Sequence, residues 1–248
     1  MTALRVDQDG AVLRVTLARP EQRNAFDAAL IAELHQAFAD VGDARAVVLA
    51  GEGESFCAGA DVAWQRASIE LSYDENVEDA LRLYRMMDAV DSCPAPVVAR
   101  IHGYCLGGGC GLAACADVAV ASEDATFGFS EVKLGIIPAV ISPFVVAKIG
   151  PGAARRYFLT GERFGADVAL RIGLVSEIGD DVDGVVAELL TSGPAAARAA
   201  KRLVRPAPGD GHELAELAAR MRTSDEGQEG LRAFLDKREA AWRSGSSL

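Results

Sequence analysis

Two turns of small residues each follow an apolar run, and both could present backbone N–H groups to a negatively charged atom. The segment SFCAGAD (55–61) follows the run Ala46–Ala50, and HGYCLGGGCGLA (102–113) follows Val97–Ile101. Glycine permits positive φ angles and close approach, and the first N–H groups of a helix lack intrahelical partners. Two such donors from two turns are the minimum for an oxyanion hole. For the second turn alone, tight packing of a helix on a strand explains the glycines equally well.

A single carboxylate stands in a third apolar segment. Glu131 is the only acidic residue of FGFSEVKLGIIP (127–138). Its neighbours Phe129 and Val132 favour a partly desolvated carboxyl group, and desolvation raises a Glu pKa towards the range useful for proton transfer. The competing interpretation is an exposed glutamate near a helix start, which is common.

The sequence lacks the motifs typical of nucleotide binding, serine hydrolysis and zinc binding. A GxGxxG dinucleotide motif counted from Gly107 fails because Leu112 stands at the last glycine position, and the chain has neither a GK pair nor a GxSxG elbow. The three histidines are far apart in the sequence, which predicts no zinc site. The sequence does not indicate a cysteine nucleophile either, because the one histidine near Cys105, Cys110 and Cys115 is His102, at the start of the same turn.

Composition limits the class of protein and its partners. The 248 residues carry 25 basic against 36 acidic side chains, a net charge of −11. This charge argues against non-specific binding to nucleic acid or to anionic membranes. We find no stretch of about 20 apolar residues and no signal-peptide pattern, and the five cysteines form no CxxC pair. The expected location is therefore the cytoplasm, without nucleic-acid or membrane partners.

The residues around the turns predict alternating strands and helices. Residues 3–9 and 12–18 alternate around Asp9-Gly10, which is typical of a hairpin. Asp27 is a candidate N-cap for a helix whose apolar positions start at Leu30. Residues 62–93 predict one or two helices, and only helices are indicated after about Asp181. Alternation of this kind indicates an α/β core.

These motifs, in this order, resemble the crotonase family, the enoyl-CoA hydratase/isomerase superfamily. The resemblance runs from ARPEQRNAF near the start to AFLDKREAAW near the end. It implies an α/β fold with a ββα spiral core (1–192) and a C-terminal all-helical trimerisation region (193–248). It also implies acyl-CoA thioester substrates, a homotrimer or a hexamer of two trimers, and no cofactor, because coenzyme A is part of the substrate.

The same resemblance assigns roles to individual residues. The backbone N–H groups of Ala60 and Gly108 would polarise the thioester carbonyl, and Glu131 matches one of two catalytic glutamates. Arg23 would reach CoA phosphates, although surface solvation explains it equally well. Phe234 and Lys237 would reach a neighbouring subunit's CoA, although they also fit an ordinary amphipathic helix. The remaining expected contacts with substrate or CoA are Ala25, Ala58, Asp61, Val62 and Pro138.

One position departs from the family pattern. Gly111 stands where the second catalytic glutamate belongs, and we expect it to leave room for a water or a bulkier acyl chain. The segments SEVKLGIIPAVISPFVV and GAARRYFLTGERF resemble the methylglutaconyl-CoA hydratase branch of leucine breakdown. The leading hypothesis is therefore an enoyl-CoA hydratase, with 3-methylglutaconyl-CoA as a candidate substrate. The alternatives are a Δ3,Δ2-enoyl-CoA isomerase with a single glutamate base, or a non-catalytic acyl-CoA-binding protein.

Overall fold

Two β-sheets form the framework of a computed structural model that describes residues 2–204 and 209–243. In chain order the strands are β1 (Leu4–Asp9), β2 (Val12–Leu17), β3 (Ala46–Gly51), β4 (Val97–Ile101), β5 (Tyr104–Leu106), β6 (Val118–Ala121), β7 (Thr126–Gly128), β8 (Arg163–Gly165) and β9 (Glu177–Ile178). The larger sheet has the order β1-β2-β3-β4-β6-β9, and the smaller one has the order β5-β7-β8. The carboxyl ends of β3 and β4 lead into the two glycine turns.

The larger sheet starts with the predicted hairpin. β1 and β2 pair antiparallel with Asp9 opposite Val12, which confirms the turn at Asp9-Gly10. Every later pairing in this sheet is parallel, including β3 with β4, where Val47 lies opposite Val97. Strands buried on both faces suit such a parallel sheet, and β3 and β4 are almost entirely buried.

Ten α-helices connect the strands or follow them in the described part of the chain. They are α1 (Ala28–Ala39), α2 (Val62–Ser68), α3 (Tyr73–Asp91), α4 (Gly108–Cys115), α5 (Ser142–Thr160), α6 (Ala166–Arg171), α7 (Asp183–Thr191), α8 (Pro194–Leu203), α9 (Gly211–Thr223) and α10 (Asp225–Leu235). Asp27 caps α1 as expected, since its Oδ1 accepts a hydrogen bond from Leu30 N at 2.8 Å. Helix α4 contacts both α3 and α5, which places the second glycine turn in the interior.

The structure differs from the sequence-based elements in a few places. The segment LVSEI (174–178) predicts a strand, but only the two residues of β9 form one. The sequence predicts two helices around 140–149 and 151–159, and the structure confirms them, since α5 breaks at Gly150, whose φ of 72° is left-handed. The three-residue strands β5 and β8 were not predicted, because so short a run carries no periodic signal.

The chain divides into two compact units. One contains the residues up to Cys93 together with Val97–Val182, and the other contains Pro94–Pro96 and the chain from Asp183 onward. In the second unit, Glu226 caps α8 by accepting hydrogen bonds from Ala195 N and Ala196 N, both at 2.8 Å. The sequence-based boundary between residues 192 and 193 stays a prediction. Among the described residues, no helix is long and apolar enough to span a membrane.

Candidate active site

Two backbone N–H groups without acceptors come from the two predicted turns. Ala60 lies in the turn after β3, and Gly108 is the first residue of α4. Neither N–H donates a hydrogen bond to any residue in the described part of the chain. Gly107, just before α4, has φ 50° and ψ −115°, a conformation that residues with a Cβ disfavour. Position 107 therefore favours glycine. The N–H of Gly108 has no intrahelical partner because Gly108 is the first residue of α4.

Two adjoining cavities in the first unit share the turn that carries Ala60, and the inner one also reaches Gly108. The inner pocket has a volume of about 310 Å³ and is lined by Ala60, Gly108 and Glu131, among others. The outer pocket has a volume of about 890 Å³ and is lined by Arg19, Arg23 and Arg66, among others. Ala58, Ala60 and Trp64 line both cavities. Both volumes are those of small-molecule sites. The lining of the outer pocket also includes Asp27 and Asp61, so its three arginines leave an excess of one positive charge, which suits an anionic group.

Glu131 is the one carboxylate that lines the inner pocket in the described part of the chain. It begins a short 3-10 helix, Glu131–Leu134, which ends at Gly135 in a left-handed conformation. Its Oε2 is buried without a hydrogen-bond partner among the described residues. A Cβ placed on Gly107 would lie only 3.1 Å from Glu131 Oε1, so the carboxylate sits beside the turn that carries the Gly108 donor.

Burial raises the pKa of the Glu131 carboxyl above its usual range. The cause is desolvation, which penalises the ionised form, and a backbone hydrogen bond offsets it only in part. A carboxylate with a raised pKa and one buried oxygen without a partner can both accept and return a proton. Together with two N–H donors, this arrangement can stabilise an enolate and move a proton at the adjacent carbon.

The expected space at Gly111 is absent, which corrects the sequence-based expectation. Gly111 is buried in α4, and a Cβ placed on it would lie 2.6 Å from Ile141 Cγ2 and 3.0 Å from Met87 Cε. Ile141, rather than Gly111, lines the inner pocket. The space directly beside Gly111 is therefore filled by hydrocarbon, and it leaves no room even for a Cβ.

The other residues predicted for the site fall into three groups. Ala25, Ala58, Asp61, Val62 and Arg23 line the outer pocket, and Pro138 lines the inner pocket. Arg23 is exposed and lies over the ring of Tyr104 at 5.4 Å. Phe234 and Lys237 belong to the second unit, where Phe234 is 79% exposed. Helix α10 ends at Leu235 and Lys237 is left-handed, so these two residues do not share one helix face.

Sequence reasoning missed an ion-pair network beside the outer pocket. Arg19 Nη1 lies 2.8 Å from Asp27 Oδ2, and Arg19 Nη2 lies 3.5 Å from Asp61 Oδ2. Asp61 also caps α2, accepting hydrogen bonds from Ala63 N at 2.8 Å and Trp64 N at 3.2 Å. Arg19 thus links the caps of α1 and α2. The sequence signal for this network was the pair of N-cap residues Asp27 and Asp61. The residue that pairs with both, Arg19, lies in a separate loop.

Thiol and metal chemistry find no support in the described residues. All five cysteines are buried. Burial raises the pKa of Cys57 to about 12, so this thiol is protonated near neutral pH and is not a nucleophile. No group of three or more His, Cys, Asp or Glu side chains is placed to hold a metal ion within 2–204 and 209–243.

Comparison with known proteins supplies an independent line of evidence. A family model described as enoyl-CoA hydratase/isomerase matches residues 7–245, which is most of the chain. The match includes both glycine turns, Glu131 and the C-terminal helices. The site geometry and the family model therefore concern the same residues.

Solved structures resemble the whole chain. An enoyl-CoA hydratase from Shewanella pealeana is 38% identical, with a TM-score of 0.91 over 97% of this chain and 96% of the other. AtuE of Pseudomonas aeruginosa is 36% identical, with a TM-score of 0.93 over 97% and 99% of the two chains. An enoyl-CoA hydratase from Mycobacterium smegmatis is 33% identical, with a TM-score of 0.89 over 97% and 98%. These likenesses confirm the predicted crotonase-like α/β fold with C-terminal helices.

Proposed function

This chain is an enzyme of the enoyl-CoA hydratase/isomerase family, and we propose that it adds water to the 2,3 double bond of an enoyl-CoA thioester, with Glu131 as its only acid–base group. The observation that carries the proposal is the buried Oε2 of Glu131, which has no hydrogen-bond partner among the described residues and lines the inner pocket with Ala60 and Gly108. The outer pocket, with Arg23 and Arg66 in its lining beside the ion-paired Arg19, would receive the phosphate-bearing CoA portion.

The reaction follows from this geometry in two proton transfers. The thioester oxygen accepts hydrogen bonds from Ala60 N–H and Gly108 N–H, which stabilise negative charge on that oxygen. Ionised Glu131 takes a proton from water while the water oxygen bonds to C3, and the π electrons move to form the enolate. Protonated Glu131 then delivers that proton to C2. Since one carboxylate serves both steps, H and OH are added to the same face.

The inner pocket favours an uncharged acyl chain. Its lining includes the apolar side chains of Leu134, Ile137 and Ile141, and no Lys or Arg among the described residues. The distal carboxylate of 3-methylglutaconyl-CoA would have only neutral polar partners such as Gln65 and Ser130 there. A buried carboxylate without a cation costs several kcal/mol in low dielectric. This cost disfavours 3-methylglutaconyl-CoA, which remains a prediction from the family resemblance alone. We propose crotonyl-CoA and its uncharged homologues as the preferred substrates.

The hydration assay tests both parts of the proposal. Purified protein is given crotonyl-CoA and 3-methylglutaconyl-CoA side by side, and loss of the enoyl-thioester absorbance is followed. We expect hydration of both, with a higher kcat/KM for crotonyl-CoA. The reverse preference would support the leucine pathway and contradict the uncharged-chain proposal. Activity on neither, with folded protein, would contradict the hydratase.

Isomerisation is the second candidate, because a single carboxylate in an apolar pocket is enough for it. Glu131 would take a proton from C2 of a 3-enoyl-CoA and return one to C4, forming the conjugated 2-enoyl-CoA. The same absorbance then increases instead of falling, which distinguishes the two reactions in one instrument. Binding of CoA esters without either change would indicate a non-catalytic acyl-CoA-binding protein.

A pH profile is expected to report the raised pKa of Glu131. The ionised carboxylate is the reactive form in both candidate reactions, so kcat/KM should rise with pH as Glu131 loses its proton. Because burial raises this pKa, the midpoint of the acidic limb should lie above the usual Glu value of about 4.3. Measuring kcat/KM for crotonyl-CoA from acid to neutral pH tests this. A midpoint at or below the usual value would contradict a desolvated base.

The remaining expectations rest on the family resemblance and are part of the proposal. They are a homotrimer or hexamer, a cytoplasmic location, and no cofactor other than the CoA carried by the substrate.

A further inference from the structure

The two N–H donors belong to segments far apart in the sequence, and one residue touches both. Phe26 is 1% exposed and lines the inner pocket together with Ala60 and Gly108. Its backbone pairs with the turn that carries Ala60, and its ring lies against Gly108.

The backbone of Phe26 fixes the orientation of Ala60. Phe26 N donates a hydrogen bond to Gly59 O at 2.7 Å, and Asp61 N donates one to Phe26 O at 2.8 Å. These two bonds bracket Ala60 in a parallel bridge. Because successive residues of an extended strand direct their N–H groups to opposite sides, the Ala60 N–H points away from Phe26 and is left free.

The ring of Phe26 fixes the position of Gly108. A Cβ placed on Gly108 would lie 2.7 Å from Phe26 Cε2 and 2.9 Å from Cδ2. The ring is therefore in direct contact with the α-carbon of the first residue of α4. Interiors are packed closely enough that such a contact limits how near the two segments can approach.

The segment of Phe26 is itself firmly held. The next residue, Asp27, caps α1 and pairs with Arg19, which also pairs with Asp61 on the Ala60 side. On the other side of Phe26, buried Asn24 donates hydrogen bonds to Glu52 O at 2.9 Å and to Ser55 O at 2.8 Å. The loop that contains Phe26 and the turn that contains Ala60 are thus joined at both ends.

We infer that Phe26 is a positioning residue, whose ring sets the spacing between the Ala60 and Gly108 N–H groups that bind the substrate's carbonyl oxygen. This inference rests on the proposed function, since it assumes that these groups form the oxyanion hole. A smaller side chain would let the Gly108 turn move towards the Ala60 turn. The donors would then no longer match the carbonyl oxygen, while the outer pocket stays intact.

The test compares Phe26→Leu with Phe38→Leu. Phe38 is also 1% exposed, but it lies on α1 and lines neither pocket, so it is matched for residue type and burial. The probe is butyryl-CoA labelled with ¹³C at the carbonyl, which has no double bond and cannot be hydrated. Difference infrared spectroscopy measures how far binding lowers its C=O stretching frequency, which reports polarisation by the two donors.

We expect a clear shift in the wild type and in Phe38→Leu, and at most half of it in Phe26→Leu. With crotonyl-CoA, kcat of Phe26→Leu should fall about tenfold or more, because displacements of about 1 Å can cost 10²-fold. KM should change less than about threefold, because the outer pocket is untouched. Phe26→Met, whose side chain has nearly the same volume as leucine, should show a similar loss and serves if Phe26→Leu does not fold.

The outcomes separate the inference from the function on which it rests. A full wild-type shift retained in both Phe26 variants would overturn the role of Phe26 alone. Equal loss in Phe26→Leu and Phe38→Leu would also overturn it, since the effect would then follow general core damage. Absence of any shift in the wild type would overturn the oxyanion hole itself, and the inference with it.

Discussion

Replacing Glu131 with Gln is expected to lower kcat by about 10²–10⁴-fold, the usual contribution of a general acid–base group. Gln has nearly the same shape but cannot take a proton from water or return one to C2. Affinity for a CoA thioester should change little, since the N–H donors and the outer pocket remain. Steady-state kinetics with crotonyl-CoA, and calorimetric titration with butyryl-CoA, measure the two quantities.

The same variant should be at least as stable as the wild type. The pKa of Glu131 is raised in the folded protein by burial, so the folded state holds this proton more tightly than the unfolded state. Stability is therefore lost as pH rises from the unfolded pKa through the folded pKa. Because Gln does not ionise, the variant does not lose this stability at neutral pH. Its Tm should therefore equal or exceed that of the wild type.

Glu123→Gln is the matched control for Glu131→Gln. Glu123 is exposed and lies outside both pockets, so its replacement should alter neither kcat nor Tm. Unchanged turnover in Glu131→Gln would remove this residue from the mechanism. A lower Tm for it would contradict the desolvated, unpartnered carboxylate.

Replacing Gly111 with Ala is expected to destabilise the protein by about 1–3 kcal/mol, as overpacking of a core does. Alanine normally favours a helix over glycine by about 1 kcal/mol, but here its Cβ would lie 2.6 Å from Ile141 Cγ2. Ile141 is 3% exposed and β-branched, so it cannot easily move aside. Thermal unfolding of the single variant measures the effect.

A second substitution identifies the clash. Ile141→Ala removes Cγ2 and should recover part of the stability lost in Gly111→Ala, whereas Ile141→Val keeps a methyl group at that position and should not. The coupling between the two sites is read from a double-mutant cycle. An increase in Tm for Gly111→Ala alone, or additive effects with Ile141→Ala, would show that the contact is not tight.

The packing around Gly111 affects the proposed reaction as well as the stability of the protein. Ile141 and Met87 lie where the Cβ of a residue at position 111 would be. A glutamate at this position would therefore require smaller side chains at Ile141 or Met87. This filled position explains why one acid–base group must carry out the proposed chemistry. Ile141 also lines the inner pocket, so Ile141→Ala changes the space available to the acyl chain.

Local signals in the sequence determined most of the strands and helices, and the family resemblance supplied the candidate site residues. The hairpin at Asp9-Gly10, the cap at Asp27 and the strand before each glycine turn were all predictable, because each depends on residues within a few positions of one another. Ala60, Gly108 and Glu131 followed from the family resemblance, and the structure places all three in one pocket.

Only the tertiary structure decided what surrounds those groups. Phe26 reads in the sequence as an ordinary apolar residue, yet its backbone pairs with Ala60 and its ring meets Gly108. The sequence predicts open space at Gly111, but Ile141 fills that space. It also predicts that Lys237 lies on a helix, but Lys237 lies past the end of α10. The physical reason is that periodicity and turn residues report the local backbone, whereas the filling of a cavity depends on side chains that only packing brings together.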